Sequence, residues 1–229
     1  MRRPRSTPPL LNLNGYSDVP AGKVAAVVTY LEIRKRPRLK RQAASGWTVE
    51  PIGDIARYRK LFRAVGEPWL WFSRLNMPDA ELAELLGSPD REAYALVDGS
   101  EDIGLLELAF RSPAECEVVY FGLVPEAVGR GAGRFLMNVA IRRAFSRPIK
   151  RLWLHTCSLD HPAALPFYLR SGFVPYRLRI EVAHDPRLSG ALPRDAAPQI
   201  PIIAAPRRAA QAKHKRIKPK RPSRRLPRG

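Results

Sequence analysis

The chain has few cysteines and no long apolar run. Only two of its 229 residues are cysteines, Cys116 and Cys157, too few for a disulfide-stabilised scaffold, and no CxxC pair suggests a metal site. No stretch approaches about 18 consecutive apolar residues, so we expect no membrane-spanning helix. The N-terminus lacks the apolar segment and small-residue cleavage site of a secretory signal. The expectation is a soluble cytoplasmic protein that needs no metal and no membrane.

Acidic residues are scarce only at the two ends of the chain. Lys and Arg number 40 against 21 Asp and Glu, which gives a net charge of +19. Residues 1–43 carry +8 of that charge and residues 205–229 carry +11, so residues 44–204 are electrically balanced. The basic excess therefore lies in the flanks, where it favours electrostatic contact with nucleic acid or an acidic partner, and not in the middle of the chain.

Composition divides the chain into three parts. Residues 185–229 are rich in Pro, Lys and Arg with little apolar surface to bury, so they are predicted to form a disordered basic tail. Residues 1–22 are predicted to be a flexible N-terminal segment. The remainder, 23–184, is predicted to be one folded domain whose first strand, 24–33, precedes a basic loop at 34–46.

The spacing of apolar residues predicts a mixed α/β domain of the α+β type. Predicted strands lie at 24–33, 92–99, 103–110, 116–124, 151–157 and 173–182. Predicted helices lie at 52–66, 69–75, 78–87, 132–142 and 162–172. This order indicates a central sheet of about six to seven strands with helices packed on both faces.

The stretch "VGRGAGR", residues 128–134, follows a predicted strand and opens a predicted helix. Exposed amides at such a helix start favour an anion such as a phosphate. A P-loop needs Lys-Ser/Thr after the last glycine, where Arg134 and Phe135 stand, and a dinucleotide fingerprint needs glycine in place of Arg134. By itself the cluster is equally consistent with a tight strand-to-helix turn.

A second motif gives the glycine stretch its context. The chain resembles the GNAT superfamily of acetyl-CoA-dependent N-acetyltransferases, whose motif Gln/Arg-x-x-Gly-x-Gly/Ala places its glycines at Gly131 and Gly133. Val128 stands where the family has Gln or Arg, which puts one polar contact in doubt. The stretch "HTCSLDHPAALPFYLRSGF" is similar to the second family signature, and the resemblance covers roughly 46–184. Its matching positions are Asp160, Ala164, Tyr168, Gly172 and Phe173.

The resemblance implies a GNAT fold in which the sheet is splayed between the fourth and fifth core strands. The pantetheine arm of acetyl-CoA would enter between 122–124 and 154–156, and its pyrophosphate would rest on the amides of 129–134. The N–H of Leu123 would polarise the thioester carbonyl. The implied cofactor-binding residues are Leu123, Val124, Val128, Gly129, Arg130, Gly131, Ala132, Gly133, Arg134 and Asp160.

Two residues are the candidate catalysts. Tyr168 matches the family tyrosine that protonates the departing CoA thiolate, although a core tyrosine would occupy a short helix equally well. Pro166, two residues earlier, makes the aim of that phenol uncertain. Glu117 matches the strand glutamate used as a base in the histone acetyltransferase branch, and its alternative is a solvent-facing carboxylate. Asp160 either caps the following helix or contacts the pantetheine amides.

The expected activity is transfer of acetyl from acetyl-CoA to a primary amine by direct attack. The acceptor is expected to be a small molecule or a peptide, and Trp69, Trp71 and Phe72 either line its pocket or fill the core. The alternative is a catalytically degenerate module of the same fold whose basic tails bind nucleic acid or an acidic partner. The chain is expected to be a monomer or a homodimer.

Overall fold

The computed structural model describes residues 11–12, 14–39 and 46–204. The seven strands found there are β1 Lys23–Ile33, β2 Thr48–Pro51, β3 Arg91–Asp98, β4 Glu101–Ser112, β5 Glu115–Leu123, β6 Arg151–Cys157 and β7 Val174–His184. The four α-helices are α1 Ile55–Gly66, α2 Asp79–Gly87, α3 Ala132–Ala144 and α4 Ala164–Arg170. Residues 1–10 and 13 of the predicted N-terminal segment, 40–45 of the basic loop and 205–229 of the predicted tail lie outside the described residues.

All seven strands form one mixed sheet in the order β2-β3-β4-β5-β6-β1-β7. The pair β5–β6 is parallel and every other neighbouring pair is antiparallel. Helices α1 and α2 cover one side of the sheet, here called the α1 face, and α3 and α4 cover the other, the α3 face. The predicted fold class is confirmed, and the four-residue strand β2 was missed by the sequence analysis.

Strand β1 enters the sheet far from its neighbours in sequence. It lies between β6 and β7 and pairs antiparallel with both, with Val28 opposite Cys157 on one side and Arg179 on the other. Its alternate residues Leu31 and Ile33 are buried in the core of the α3 face. The first strand of the chain therefore joins the last strand to the rest of the sheet.

Apolar residues of the helices fill two separate cores. On the α3 face, Leu136, Met137 and Ile141 of α3 are buried against strand residues such as Leu106 and Leu154. On the α1 face, buried side chains of α1 and α2 pack against Ala95 and Leu105. The helix residues of that second core are Tyr58, Leu61, Phe62, Val65 and Leu82. In the described part of the chain, no helix is long and apolar enough to cross a membrane, and no group of three His, Cys, Asp or Glu side chains could hold a metal ion.

The prediction of a helix at 69–75 is wrong. After α1 a single 3-10 turn, Glu67–Trp69, ends at Leu70, whose φ of 60° is left-handed. Turns follow until α2 begins, because side chains of this segment form hydrogen bonds with distant residues. The Trp71 indole donates to Asp160 and the Arg74 guanidinium donates to Glu107. Tertiary hydrogen bonds thus override the helical spacing of its apolar residues.

The prediction that disorder begins at residue 185 is also wrong for 185–204. Asp185 and Arg187 form a buried ion pair at 2.8 Å, and this guanidinium also donates to main-chain carbonyls between Ala196 and Ile200. Arg187 lowers the pKa of the Asp185 carboxyl. The loop is closed by hydrogen bonds and not by a large apolar core, so its composition gave no sign of order. Its small apolar cluster comprises Leu70, Leu192, Ala196 and Ala197, with Val24 packed against it.

A buried carboxylate ties the α1 face together. Glu107 of β4 has no solvent exposure and accepts hydrogen bonds from Arg74 at 2.7 Å, Arg91 at 2.6 Å and the Tyr58 hydroxyl at 2.5 Å. Burial and the adjacent carboxylate raise the pKa of Tyr58 above its ordinary value, so the phenol remains a donor. Glu107 thereby connects α1, the segment after it, β3 and β4.

Glu107→Ala should lower the free energy of unfolding by about 3–5 kcal/mol, because it leaves the buried guanidinium of Arg74 without its charge partner. Urea unfolding followed by circular dichroism measures this. The matched control is Glu67→Gln, which breaks the half-exposed Arg63–Glu67 pair and should cost under about 0.5 kcal/mol. Equal losses in the two variants would contradict the central role given to Glu107.

Candidate active site

One extra residue in β5 opens the sheet. Tyr120 lies opposite Glu107 of β4 and Val118 lies opposite Leu108, so Val119 is a β-bulge. Parallel pairing with β6 ends at the bulge, where Val118 and Leu154 are the last partners. Beyond that point β5 and β6 diverge, which confirms the predicted splay between the fourth and fifth core strands.

The main chain of β5 beyond the bulge is free on the side of this gap. The N–H of Val124 donates to Ile103 of β4 at 3.0 Å, and main-chain groups of successive strand residues point in alternate directions. The N–H and C=O of Leu123 and Phe121 therefore point towards β6, with no strand to receive them. Leu123 lies beside the gap between β5 and β6, the place predicted for it. The N–H of Val124 is hydrogen-bonded to Ile103 and is therefore not free to bind a ligand.

The turn before α3 presents a group of free amides. Gly129 and Gly131 adopt φ of 84° and 90°, values that a side chain disfavours, and this folds the turn ahead of Ala132. Among the described residues, the N–H groups of 129–133 have no hydrogen-bond acceptor. The N–H of Val128 is engaged with Pro125 at 3.2 Å and that of Arg134 with Gly131 at 3.0 Å. The five free amides lie at a helix N-terminus, which suits an anion.

Arginine side chains add positive charge beside these amides. Arg134 lies 5.1 Å above the ring of Phe167 and donates to the Ser171 hydroxyl at 3.0 Å. Burial and the nearby Arg170 lower the pKa of Arg134. Within the described ranges, neither of these two arginines has a carboxylate at ion-pair distance, whereas Arg130 is paired with Asp98 at 2.9 Å. The unpaired charge of Arg134 favours an anion at this turn.

Tyr168 lies on the α3 face beside the gap. Its ring is buried against Phe121, Phe167 and Phe173, with centroids 5.7–6.1 Å apart. Burial, and secondarily the charge of Asp160, raise the pKa of Tyr168, so the phenol stays protonated at neutral pH. Its hydroxyl has no hydrogen-bond partner in the described part of the chain.

Pro166 does not bend the helix that carries Tyr168. Helix α4 begins at Ala164, which places Pro166 in the first turn. The N–H groups of a first turn have no partner within the helix, so proline there removes no hydrogen bond. The doubt that Pro166 raised about the direction of the phenol is resolved.

Glu117 lies on the opposite face of the sheet. It is 5% exposed, so the alternative of a solvent-facing carboxylate is wrong. Its Oε2 is 3.0 Å from Nε of Arg111, without the alignment of a hydrogen bond, and its Oε1 is 4.0 Å from Nδ1 of His155. Tyr168 and Glu117 thus lie on opposite faces of the sheet, and Glu117 lies just before the gap, opposite Trp153 in the last paired part of β5 and β6.

Asp160 closes the turn between β6 and α4. Its carboxylate accepts from the Thr156 hydroxyl at 2.8 Å, the Cys157 N–H at 2.7 Å and the Trp71 indole N–H at 3.2 Å. The capping alternative is wrong, because α4 has Ala163 at its N-cap and no side-chain cap. Asp160 instead fixes the end of β6 and holds Trp71 beside the gap.

A cavity of about 250 Å³ opens at the gap on the α1 face. Aromatic rings and two carboxylates contribute to its walls, and no Lys or Arg of the described residues lines it. These polar and aromatic lining residues are Trp69, Trp71, Phe72, Ser73, Tyr120, His155, Asp160 and Glu181. For Trp69, Trp71 and Phe72 the sequence offered two alternatives, a place in the pocket wall or in the core, and all three line this cavity. The alternation of side chains along β6 could have predicted that His155 faces the cavity. Glu181 could not be predicted in this way, because its place depends on the strand order that puts β7 beside β1.

Cys157 also lines the cavity, and its chemistry bears on the mechanism. Burial and the nearby Asp160 raise the pKa of its thiol to about 11. The thiolate, not the thiol, is the nucleophile of cysteine chemistry. Cys157 is therefore a poor candidate for an acyl-carrying nucleophile at neutral pH.

The chain is similar to known proteins both in sequence and in structure. The model of the acetyltransferase (GNAT) family matches residues 58–173, and no curated protein matches the chain. A functionally unknown conserved protein from Staphylococcus epidermidis has 15% identity and a TM-score of 0.49, over 72% of this chain and 63% of that one. The chain thus spans less than two thirds of the length of that relative.

Two further solved structures are similar to the chain. A putative GNAT acetyltransferase from Novosphingobium aromaticivorans has 19% identity and a TM-score of 0.49, over 72% of this chain and 68% of that one. An aminoglycoside acetyltransferase from an uncultured soil metagenomic sample, in complex with sisomicin, has 16% identity and a TM-score of 0.46, over 55% and 86%. The family match covers half of this chain and includes the bulge, the glycine turn and Tyr168. The chain belongs to the GNAT family of acetyltransferases.

Proposed function

We propose that the protein transfers the acetyl group of acetyl-CoA to the primary amine of a small molecule. One observation carries the proposal: the gap between β5 and β6 runs from a turn of five free amides to a cavity with carboxylates in its wall. An anionic thioester fits the first end and an amine fits the second. Family membership supports acyl transfer in general.

The residues beside the gap would hold the cofactor along its length. The pyrophosphate would accept hydrogen bonds from the amides of 129–133 and from the guanidinium of Arg134. The pantetheine amides would pair with the outward main chain of Phe121 and Leu123, as an added strand does. The Leu123 N–H would then donate to the thioester carbonyl and stabilise the charge that develops there.

The two candidate catalysts would serve opposite ends of the reaction. The amine nitrogen attacks the thioester carbon from the cavity, the C–N bond forms and the C–S bond breaks. Glu117, with His155 beside it at 4.0 Å, takes the proton that leaves the ammonium before the attack; the second proton, lost from nitrogen as the amide forms, passes through water and restores Tyr168 after its donation. Tyr168, held protonated by burial, supplies a proton to the departing thiolate. The protonated Cys157 thiol favours this direct route over an acyl-enzyme intermediate.

The cavity defines the chemical class of the acceptor. Carboxylates of Asp160 and Glu181 attract a cationic amine, and the faces of Trp69, Trp71 and Phe72 suit an apolar or aromatic stem. Anionic groups on the acceptor would be repelled by the same carboxylates. We therefore propose a compact monoamine with an apolar stem, without a carboxylate near the reacting nitrogen.

Calorimetric titration with acetyl-CoA should show binding in the micromolar range, and Gly131→Ala should weaken it at least about tenfold, because a side chain at φ of 90° distorts the amide turn. Gly190→Ala is the matched control, since Gly190 has φ of 79° and open space around it but lies outside the turn. Absence of binding in the parent protein would overturn the assignment of the cofactor.

Acetyl-CoA-dependent release of free thiol, measured with a panel of amines, tests the acceptor class. Phenethylamine should give a higher kcat/KM than spermidine or a lysine-containing peptide, and phenylalanine the lowest, because its carboxylate faces those of the cavity. N,N-dimethylphenethylamine, which cannot form a stable amide, is the negative control. Preference for the amino acid over phenethylamine would contradict the proposed class.

Tyr168→Phe should lower kcat about a hundredfold or more while the KM for acetyl-CoA stays within about twofold, because the ring packing remains and only the proton donor is lost. Steady-state kinetics with the best amine of the panel measures both constants. Tyr176→Phe, at a tyrosine on β7, is the control and should leave kcat unchanged. A wild-type kcat in Tyr168→Phe would exclude the phenol as the acid.

A further inference from the structure

Strand β7 is a long sheet edge with a row of exposed apolar side chains on the α3 face. Its proline and its bulge, at Pro175 and Tyr176, lie only at its start, and its charged side chains lie on the α1 face. It is the outermost strand, and among the described residues only β1 pairs with it. Leu178, Ile180 and Val182 are 68%, 48% and 49% exposed, and Val27 beside them on β1 is 45% exposed. Soluble proteins usually protect such edges by short strands, charges, bulges or a covering segment. These four residues, which share the α3 face, are here called the edge patch.

The register with β1 identifies which main-chain groups are free. Asp185 donates its N–H to Gly22 at 3.0 Å, and Lys23 lies opposite His184. Residues of odd number in this part of β7 therefore direct their N–H and C=O towards β1, and residues of even number direct theirs outwards. Leu178, Ile180 and Val182 thus combine exposed apolar side chains with main-chain groups that no strand of the described ranges pairs with.

The charges of β7 are complementary to those of a second β7. Arg177, Arg179 and Glu181 alternate with the edge patch and lie on the α1 face. When two copies pair antiparallel with Ile180 opposite Ile180, Arg179 of each copy lies opposite Glu181 of the other. Centring the pair on Arg179 or on Glu181 instead would oppose two like charges. Unlike charges opposite each other stabilise a strand pair and like charges destabilise it.

We propose that the chain forms a two-fold symmetric homodimer in which the two β7 strands pair through Ile180. The outward main-chain groups then complete their hydrogen bonds, and two Arg179–Glu181 pairs lie on the α1 face. The edge patches of both copies come together on the α3 face, where neighbouring apolar side chains cover part of each other's surface. Such an isologous contact closes after two subunits, so it does not propagate into a fibre. This dimer is argued from the sheet edge and not from the proposed acetyl transfer, although the two share Glu181: it also lines the cavity, where Asp160 is the carboxylate that the dimer leaves unpaired with arginine.

A charge swap tests both the dimer and its register. Sedimentation equilibrium of the full chain should give a dimer, and Arg179→Glu should raise the dissociation constant about tenfold or more, because two carboxylates then oppose two others. The double variant Arg179→Glu with Glu181→Arg should restore the dimer, since each pair is re-formed with its signs exchanged. Arg177→Glu is the matched control: the same charge change on the same strand lies opposite Ala183 and should leave the dimer intact.

The swap also separates the dimer contact from effects within one copy. Arg179 lies 5.3 Å above the ring of Tyr30, a contact that the double variant does not restore, so loss of that contact does not explain a recovered dimer. Circular dichroism and thermal unfolding establish that each variant is folded. A monomeric parent at tens of micromolar, a dimer that survives Arg179→Glu, or a folded double variant that stays monomeric would each overturn the proposal.

Discussion

The single extra residue at Val119 is the constraint on which the rest of the site depends. It ends pairing between β5 and β6, and it also reverses the alternation of side chains along β5. Glu117 and Tyr120 consequently lie on the same face although they are three positions apart, while Phe121 returns to the α3 face beside Tyr168. Without the bulge, β5 would continue beside β6, and neither the free main chain of Leu123 nor the cavity would exist.

The wall of the cavity is irregular backbone held in place by side chains. Trp71 donates to Asp160, Arg74 donates to Glu107, and the hydroxyls of Ser73 and Tyr120 are 2.5 Å apart. Three residues of one short segment are thus fixed to three different strands or turns. A helix in this place would present its side chains at fixed angles of 100°, whereas the extended turns direct several aromatic rings towards one opening.

Sequence reasoning succeeded where structure is local and failed where it is set at long range. The turn at Gly131 and the short helix of Tyr168 follow from motifs and periodicity within a few residues, and the splay beside β5 was implied by the family resemblance. The path of the segment around Leu70 depends on Glu107 and Asp160, which are distant in sequence. Order at 185–204 depends on one arginine, Arg187, that satisfies several carbonyls. Neither interaction leaves a local signal, so the spacing of apolar residues predicted a helix at 69–75 and composition predicted a disordered tail.

The position of β1 has a consequence for how the chain is made. Ribosomal synthesis delivers Lys23–Ile33 first, yet both of its partners, β6 and β7, emerge near the end of the folded region. The half of the domain from β2 to β5 can assemble while β1 still lacks a neighbour. Closing the sheet then requires contacts of very high sequence separation, which are slow to form. The nascent protein therefore carries β1 without a partner until β6 has left the ribosome, and with only one partner until β7 has, a window in which chaperone binding or aggregation competes with folding.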